Sequence, residues 1–292
     1  MNAKKFFGLI IVTISISIIF SASLMAWGFG YHGHKKYGWG DGSNEQRIAK
    51  IVEHIGEELA LDSSQIKALN QFKEELIAKK QDLRSDKEEI MAALIQQTRS
   101  DSFDTAQFQL LADRHIAKTK LAVPLIIEKA TQFHEVLNET QKKLLVNKIN
   151  EMRPRRVDRK GRKDGRFNKT PRKRAGFMIE RLTSKLDLNE AQVQAFNSVK
   201  DALFAEKEKM FGGSPMFQFQ QMIAGEISSD KLDSTKIKNV VYDKINNRAE
   251  MIKLVINKYA ELHAVLNPEQ RDLIADKMED HLKWMTKRDA KR

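Results

Sequence analysis

Leu61-Asp62-Ser63-Ser64-Gln65 recurs as Leu137-Asn138-Glu139-Thr140-Gln141, Leu188-Asn189-Glu190-Ala191-Gln192 and Leu266-Asn267-Pro268-Glu269-Gln270. The four Leu-[Asp/Asn]-x-x-Gln boxes form two pairs, with 76 and 78 residues between members and 127 and 129 between pairs. Each box has the chemistry of a helix start. The Asp or Asn accepts a hydrogen bond from an orphan N–H of the first turn, and Gln three positions later reaches back to the cap residue's own N–H. Pro268 falls at the first helical position, where a missing N–H costs nothing. Leu61 with Ile66 and Leu188 with Val193 offer an apolar staple. The second boxes carry Lys142 and Arg271 at that place and have none.

The repetition continues outside the boxes. Ile51-Val52-Glu53-His54-Ile55 aligns with Met178-Ile179-Glu180-Arg181-Leu182, Ser100 to Asp104 with Ser229 to Asp233, and Phe133 to Leu137 with Leu262 to Leu266. His134 and His263 recur at equivalent places before a cap and read as helix-packing residues. A period this long marks a duplicated domain rather than a solenoid unit. The copies are taken as residues 45–152 and 173–292.

Five Pro in 292 residues, 31% charged side chains and few β-branched runs point to an all-α chain. Leu69, Leu76, Leu83 and Ile90 recur every seven residues, as do Phe196, Leu203, Met210 and Phe217 in the second copy. So narrow an apolar seam predicts long, thin helices packed as hairpins, one of about 35 residues spanning roughly 50 Å. Each copy reads as short, long, long, short helix, with Pro124 expected to kink the third.

Lys4 and Lys5 precede an uncharged run from Phe6 to Phe20, followed by Ser21-Ala22-Ser23. That is the layout of a signal peptide over residues 1–26; counted through residues 6–27, the same run would serve as an inner-membrane anchor. Either reading puts the rest of the chain outside the cytoplasm, and the lack of Cys agrees with an oxidising compartment. Residues 27–44 are rich in Gly and aromatics and carry His32 and His34. They read as a tether; as the alternative, the two His would contribute to a zinc site, which normally takes about three or four ligands. No other cofactor is expected.

The net charge of +12 is concentrated in one place. Twelve Lys/Arg and two Asp lie between Arg153 and Arg174: Arg153, Arg155, Arg156, Arg159, Lys160, Arg162, Lys163, Arg166, Lys169, Arg172, Lys173 and Arg174 against Asp158 and Asp164. Residues 153–172 therefore read as a self-repelling linker between the copies. In an exported protein, anionic phospholipid or acidic protein is a better partner for it than nucleic acid.

One stretch breaks the duplicated pattern. Met210, Phe211, Met216, Phe217, Phe219 and Met222 surround Gly212-Gly213-Ser214-Pro215, which stops a helix. Adaptable Met and Phe side chains suit a surface that meets varied partners, so these six are candidate client-binding residues; packing at the hairpin tip is the alternative.

The boxes, their spacing near 77 residues, the Phe103-Asp104 and Leu232-Asp233 turns and the export signal together resemble the Spy/CpxP family of LTxxQ-motif proteins. This chain carries Asp or Asn where that family usually has Thr, and four boxes where it has two. The resemblance implies helical periplasmic proteins, often cradle-shaped dimers, that act as ATP-independent chaperones, as inhibitors of envelope-stress sensor kinases, or as metal-associated stress proteins. It implies unfolded or partly folded envelope proteins as partners, or a sensor kinase's periplasmic domain. Here the fused copies would form the cradle within one chain, as a pseudo-dimer, or pair as a homodimer. Leu61, Asp62, Gln65, Leu137, Asn138, Gln141, Leu188, Asn189, Gln192, Leu266, Asn267 and Gln270 are expected to be architectural. The chain holds no His-Glu-x-x-His, Gly-rich phosphate loop, Cys nucleophile or Gly-x-Ser-x-Gly elbow, so no enzyme is read from it.

Overall fold

A computed structural model describes residues 52–151, 171–212 and 215–290, and all regular structure among them is helical. The first copy contains α1 (52–58), α2 (Ser63–Arg99), α3 (Thr105–Glu135) and α4 (Glu139–Glu151). The second contains α5 (Pro171–Leu186), α6 (Glu190–Phe211), α7 (Pro215–Ile227), α8 (Ser234–Val265) and α9 (Pro268–Ala290). The expected order of helices is present, with one difference: the fourth helix of the second copy is long, at 23 residues. In the second copy α6 with α7 takes the place of the continuous 37 residues of α2, the interruption expected at Gly212 to Pro215. The break falls at Gly212, where an added Cβ would lie 2.5 Å from the Glu208 carbonyl oxygen. Helix α5 already begins at Pro171, so Arg172, Lys173 and Arg174 belong to a helix and the linker ends earlier than 172.

Local chemistry sets the ends. Asp62 and Asn189 each complete a capping box, and Asp104 and Asp233 accept from the N–H groups of Gln107 and Lys236 at the starts of α3 and α8. The hairpin turns are tied in the same way in both copies. Gln97 Oε1 accepts from the Asp104 N–H at 2.7 Å, and Glu226 Oε2 accepts from the Asp233 N–H at 3.0 Å. Just past α1 and α5, Ala60 and Asp187 are both left-handed, with φ 48° and 49°. Leu61 N–H then returns to the Gly56 carbonyl and Leu188 N–H to the Thr183 carbonyl, the six-to-one bond of a Schellman ending.

The copies pack on each other through equivalent elements. Helix α3 runs along α8, α2 along α9, and α4 along α7. One core contains Leu69, Val123, Ile126 and Ile149 of the first copy together with Phe219, Ile223, Val241 and Ile245 of the second. A second, smaller cluster joins Leu94 and Phe108 to Ile256, with Phe103 stacked on Phe108 and edge-on to Tyr259. The Tyr259 hydroxyl lies 2.7 Å from Thr98 Oγ1 across the copies, and burial pushes its phenol up to about 12. Helix α3 continues through Pro124.

Because the main core draws on both copies, neither completes its own. Ile245 is 1% exposed, and Ile245→Ala should cost about 2–5 kcal/mol. Urea denaturation followed by circular dichroism should show one transition for the wild type and the variant. Two separated transitions would mean that the copies fold independently.

Candidate functional site

Each pair of boxes meets in space. Gln65 Nε2 donates to Gln141 Oε1 at 2.9 Å, and Gln141 Nε2 donates back to Gln65 Oε1 at 2.9 Å. The second copy repeats the exchange between Gln192 and Gln270, at 2.7 and 3.2 Å. Every one of these amides also closes its own capping box: the N–H groups of Asp62, Asn138, Asn189 and Asn267 donate to the Gln three residues on. The remaining donor capacity reaches helix ends. Gln65 and Gln192 donate to the carbonyls of Val136 and Val265 at the ends of α3 and α8, and Gln270 donates to that of Leu186 at the end of α5. All four amides are buried and fully engaged. The box residues are therefore architectural, and none is free to bind a ligand.

Next to each pair, a His crosses between copies. His134 Nε2 donates to the Ile227 carbonyl at 3.1 Å, at the end of α7. The His263 ring lies against the carbonyls of Gln97, Thr98 and Ser100, at the end of α2. Burial holds the His263 imidazole below its ordinary value, and the nearby Arg271 guanidinium pushes the same way, while the carbonyls pull it up. Arg271 is buried and bonds Asp101 Oδ1 of the other copy at 2.8 Å. The expectation of packing His residues is met at the junction of the two copies.

The candidate client residues are placed unevenly. Phe219 is 3% exposed in the shared core, under the Lys244 ammonium, and Met222 packs against that core. Those two are withdrawn from a client surface, because α7 needs an apolar inner face to pack on α4. Met210 is half-buried near the end of α6; the side chains of Phe211, Met216 and Phe217 are not among those described. Arg172 is paired with Asp201 at 2.7 Å, and Lys173 is exposed. The other basic residues, Arg153 to Lys163, lie outside the described residues, as does Arg174's side chain. His32 and His34 also lie outside them, and among the described residues no group of three or more His, Asp or Glu is placed to hold a metal. No helix among them is long and apolar enough to cross a membrane.

What the sequence reading missed is the apolar surface. Leu110 and Leu121 of α3 are 71% and 78% exposed, and Phe177, Leu273 and Trp284 are about half exposed. A usable signal was present, since α3 carries apolar residues on every side instead of in one stripe.

The four capped, paired boxes are the decisive geometry. A family model described as LTXXQ motif family protein matches residues 47–148 and 174–278, one match for each pair of boxes. The chain belongs to the LTXXQ motif family. Two matches in one chain make it a tandem duplication of that all-helical domain, consistent with the Spy/CpxP resemblance. Membership supports a periplasmic chaperone or stress-related role in general. Neither a curated protein nor a solved structure matches the chain.

Gln65→Ala would strand the Asp62 N–H, the Val136 carbonyl and one face of the Gln141 amide. The expected loss is about 2–4 kcal/mol. Adding Gln141→Ala should cost less than a second such loss, because the pair is already broken. A double-mutant cycle by urea denaturation reads this coupling; strict additivity would refute the reciprocal bond.

The depressed His263 value gives a second expectation. Folding favours the neutral ring, so its contribution is complete above the unfolded value of about 6.5 and is lost as pH falls towards and through the lower folded value. Thermal stability should fall below about pH 6.5, and His263→Gln should flatten that part of the profile. An unchanged acid limb in the variant would assign it to other groups.

Proposed function

We propose that this chain is an ATP-independent periplasmic chaperone, a holdase that binds unfolded or partly folded envelope proteins during envelope stress. The observation that carries the reading is large apolar side chains left at the surface of a highly charged, interlocked helical frame. Leu110, Leu121, Phe177, Leu273 and Trp284 are at least about half exposed, outside the amide-paired sites that hold the frame together. Exposed apolar side chains gathered on one surface mark contact sites for other polypeptides, and Leu110 and Leu121 share one face of α3. So small an apolar area binds weakly, and release without nucleotide hydrolysis requires weak binding.

The equivalent pairing of α3 with α8, α2 with α9 and α4 with α7 supports a further part of the proposal. The two family domains would take, within one chain, the arrangement of a family dimer, so the active unit is a monomeric pseudo-dimer. The basic residues of 153–172 would add attraction to acidic protein or anionic membrane surfaces. Export to the periplasm would follow from residues 1–26, by cleavage or as an anchor.

The test is aggregation of an unrelated, thermally unfolding protein followed by light scattering. Near-stoichiometric amounts of this protein should suppress the signal without ATP, and an unchanged aggregation curve would refute the chaperone reading.

A further inference from the structure

We infer that the outward face of α3, in the first copy alone, is the surface that holds a client, and that its occupant is a short apolar segment of an unfolded polypeptide. This rests on the chaperone reading and gives it a place.

The exposed side of α3 carries an apolar stripe, interrupted between Leu110 and Ala117 by exposed Asp113 and Arg114. Ala106, Leu110, Ala117, Leu121 and Pro124 are all exposed, and their spacing of four, seven, four and three puts them on one face over roughly 27 Å. The opposite side, with Phe108, Ala112, Ile116, Val123 and Ile127, is buried against the rest of the fold. A surface helix ordinarily turns its large apolar residues to the core, yet Leu110 and Leu121 are left in water on the open side.

The second copy provides an internal control. At the equivalent places α8 carries Thr235, Asn239, Asn246, Glu250 and Lys253, the ordinary polar exterior of a surface helix. The fold therefore does not require Leu at 110 or 121, since the same helix in the same packing does without it. Along the α2 side, the charges flanking the stripe are already matched within the protein. Arg114 pairs with Glu89, Lys118 Nζ lies 2.6 Å from Asp86, and Lys129 Nζ lies 3.2 Å from Glu75. A charged partner gains little at that rim; beside the stripe, exposed Asp113 takes no part in those pairs, and most of what the stripe offers is apolar.

Size decides between a second copy and a client. A stable protein interface takes about 20–30 residues from each side. The stripe offers five, of which two are large, which is too little to hold two copies together. Its length matches about eight residues of extended chain.

The experiment uses the full chain and a permanently unfolded probe, fluorescently labelled, reduced and carboxymethylated α-lactalbumin, with the dissociation constant read by anisotropy. The variant Leu110→Asn with Leu121→Glu places the second copy's own residues on α3. It should weaken binding by about tenfold or more while leaving the thermal midpoint unchanged, because both side chains are exposed. The reverse change on α8, Asn239→Leu with Glu250→Leu, should tighten binding. If the wild type binds the probe and both variants bind equally well, the placement on α3 is wrong and the chaperone reading stands. If the wild type does not bind, both fail. A wild-type dimer in light scattering that the first variant converts to monomer would give the stripe to a second copy and overturn the client assignment.

Discussion

A primary amide has one carbonyl and one NH2 group, so two facing glutamines satisfy each other only at one separation and one relative orientation. Each copy of this chain buries such a pair, Gln65 with Gln141 and Gln192 with Gln270, between helix starts far apart in sequence. The same amides accept from the cap N–H groups and donate to carbonyls where neighbouring helices end. Much of the frame is fixed by this one exchange. It brings the start of the second helix, the start of the fourth and the end of the third to one point. Asp, Asn or Thr serve at the capping position, because any of them offers an oxygen to the first turn. The Gln position is more demanding. Glu there would remove a donor and bring a charge into a buried site.

The second level of organisation is the exchange between copies. A lone copy would leave the inner faces of α3 and α2 uncovered; here α8 and α9 cover them, and α4 does the same for α7. Polar groups mark the same junctions. His134 and His263 each lie against the last carbonyls of a helix in the other copy, where backbone acceptors lack intrahelical partners. Where α3 crosses α8, the copies have diverged. Thr119 of one corresponds to Arg248 of the other, and burial pushes that guanidinium down to about 10. A single chain allows this. Two identical subunits would have to place the same residue on both sides of the crossing.

Freedom to diverge extends to the surface. One long helix stays continuous from Ser63 to Arg99 while its counterpart breaks at Gly212, and the outward face of α3 carries Leu110 and Leu121 where that of α8 carries Asn239 and Glu250. The first difference was legible from Gly-Gly-Ser-Pro, but its consequence was not. Phe219 and Met222 looked like an adaptable surface because a short apolar run has no clear period. Only the position of α4 shows that they face inward. The second difference was equally present in the letters, but an apolar position on a helix does not state whether a neighbour covers it.

What the sequence alone determined is whatever acts over a few residues or by repetition. The caps close between residues three apart, the turns lie at fixed offsets, and the duplication follows from counting, so helix starts, fold class and two domains were all legible. Tertiary structure decided which groups meet at separations of 71 to 84 residues within a copy, and beyond that between copies. It also decided which apolar side chains remain in water. The physical reason is range. A capping bond is specified by its own residues, whereas burial is set by whatever helix arrives from elsewhere, and on the outer face of α3 none of the described helices does.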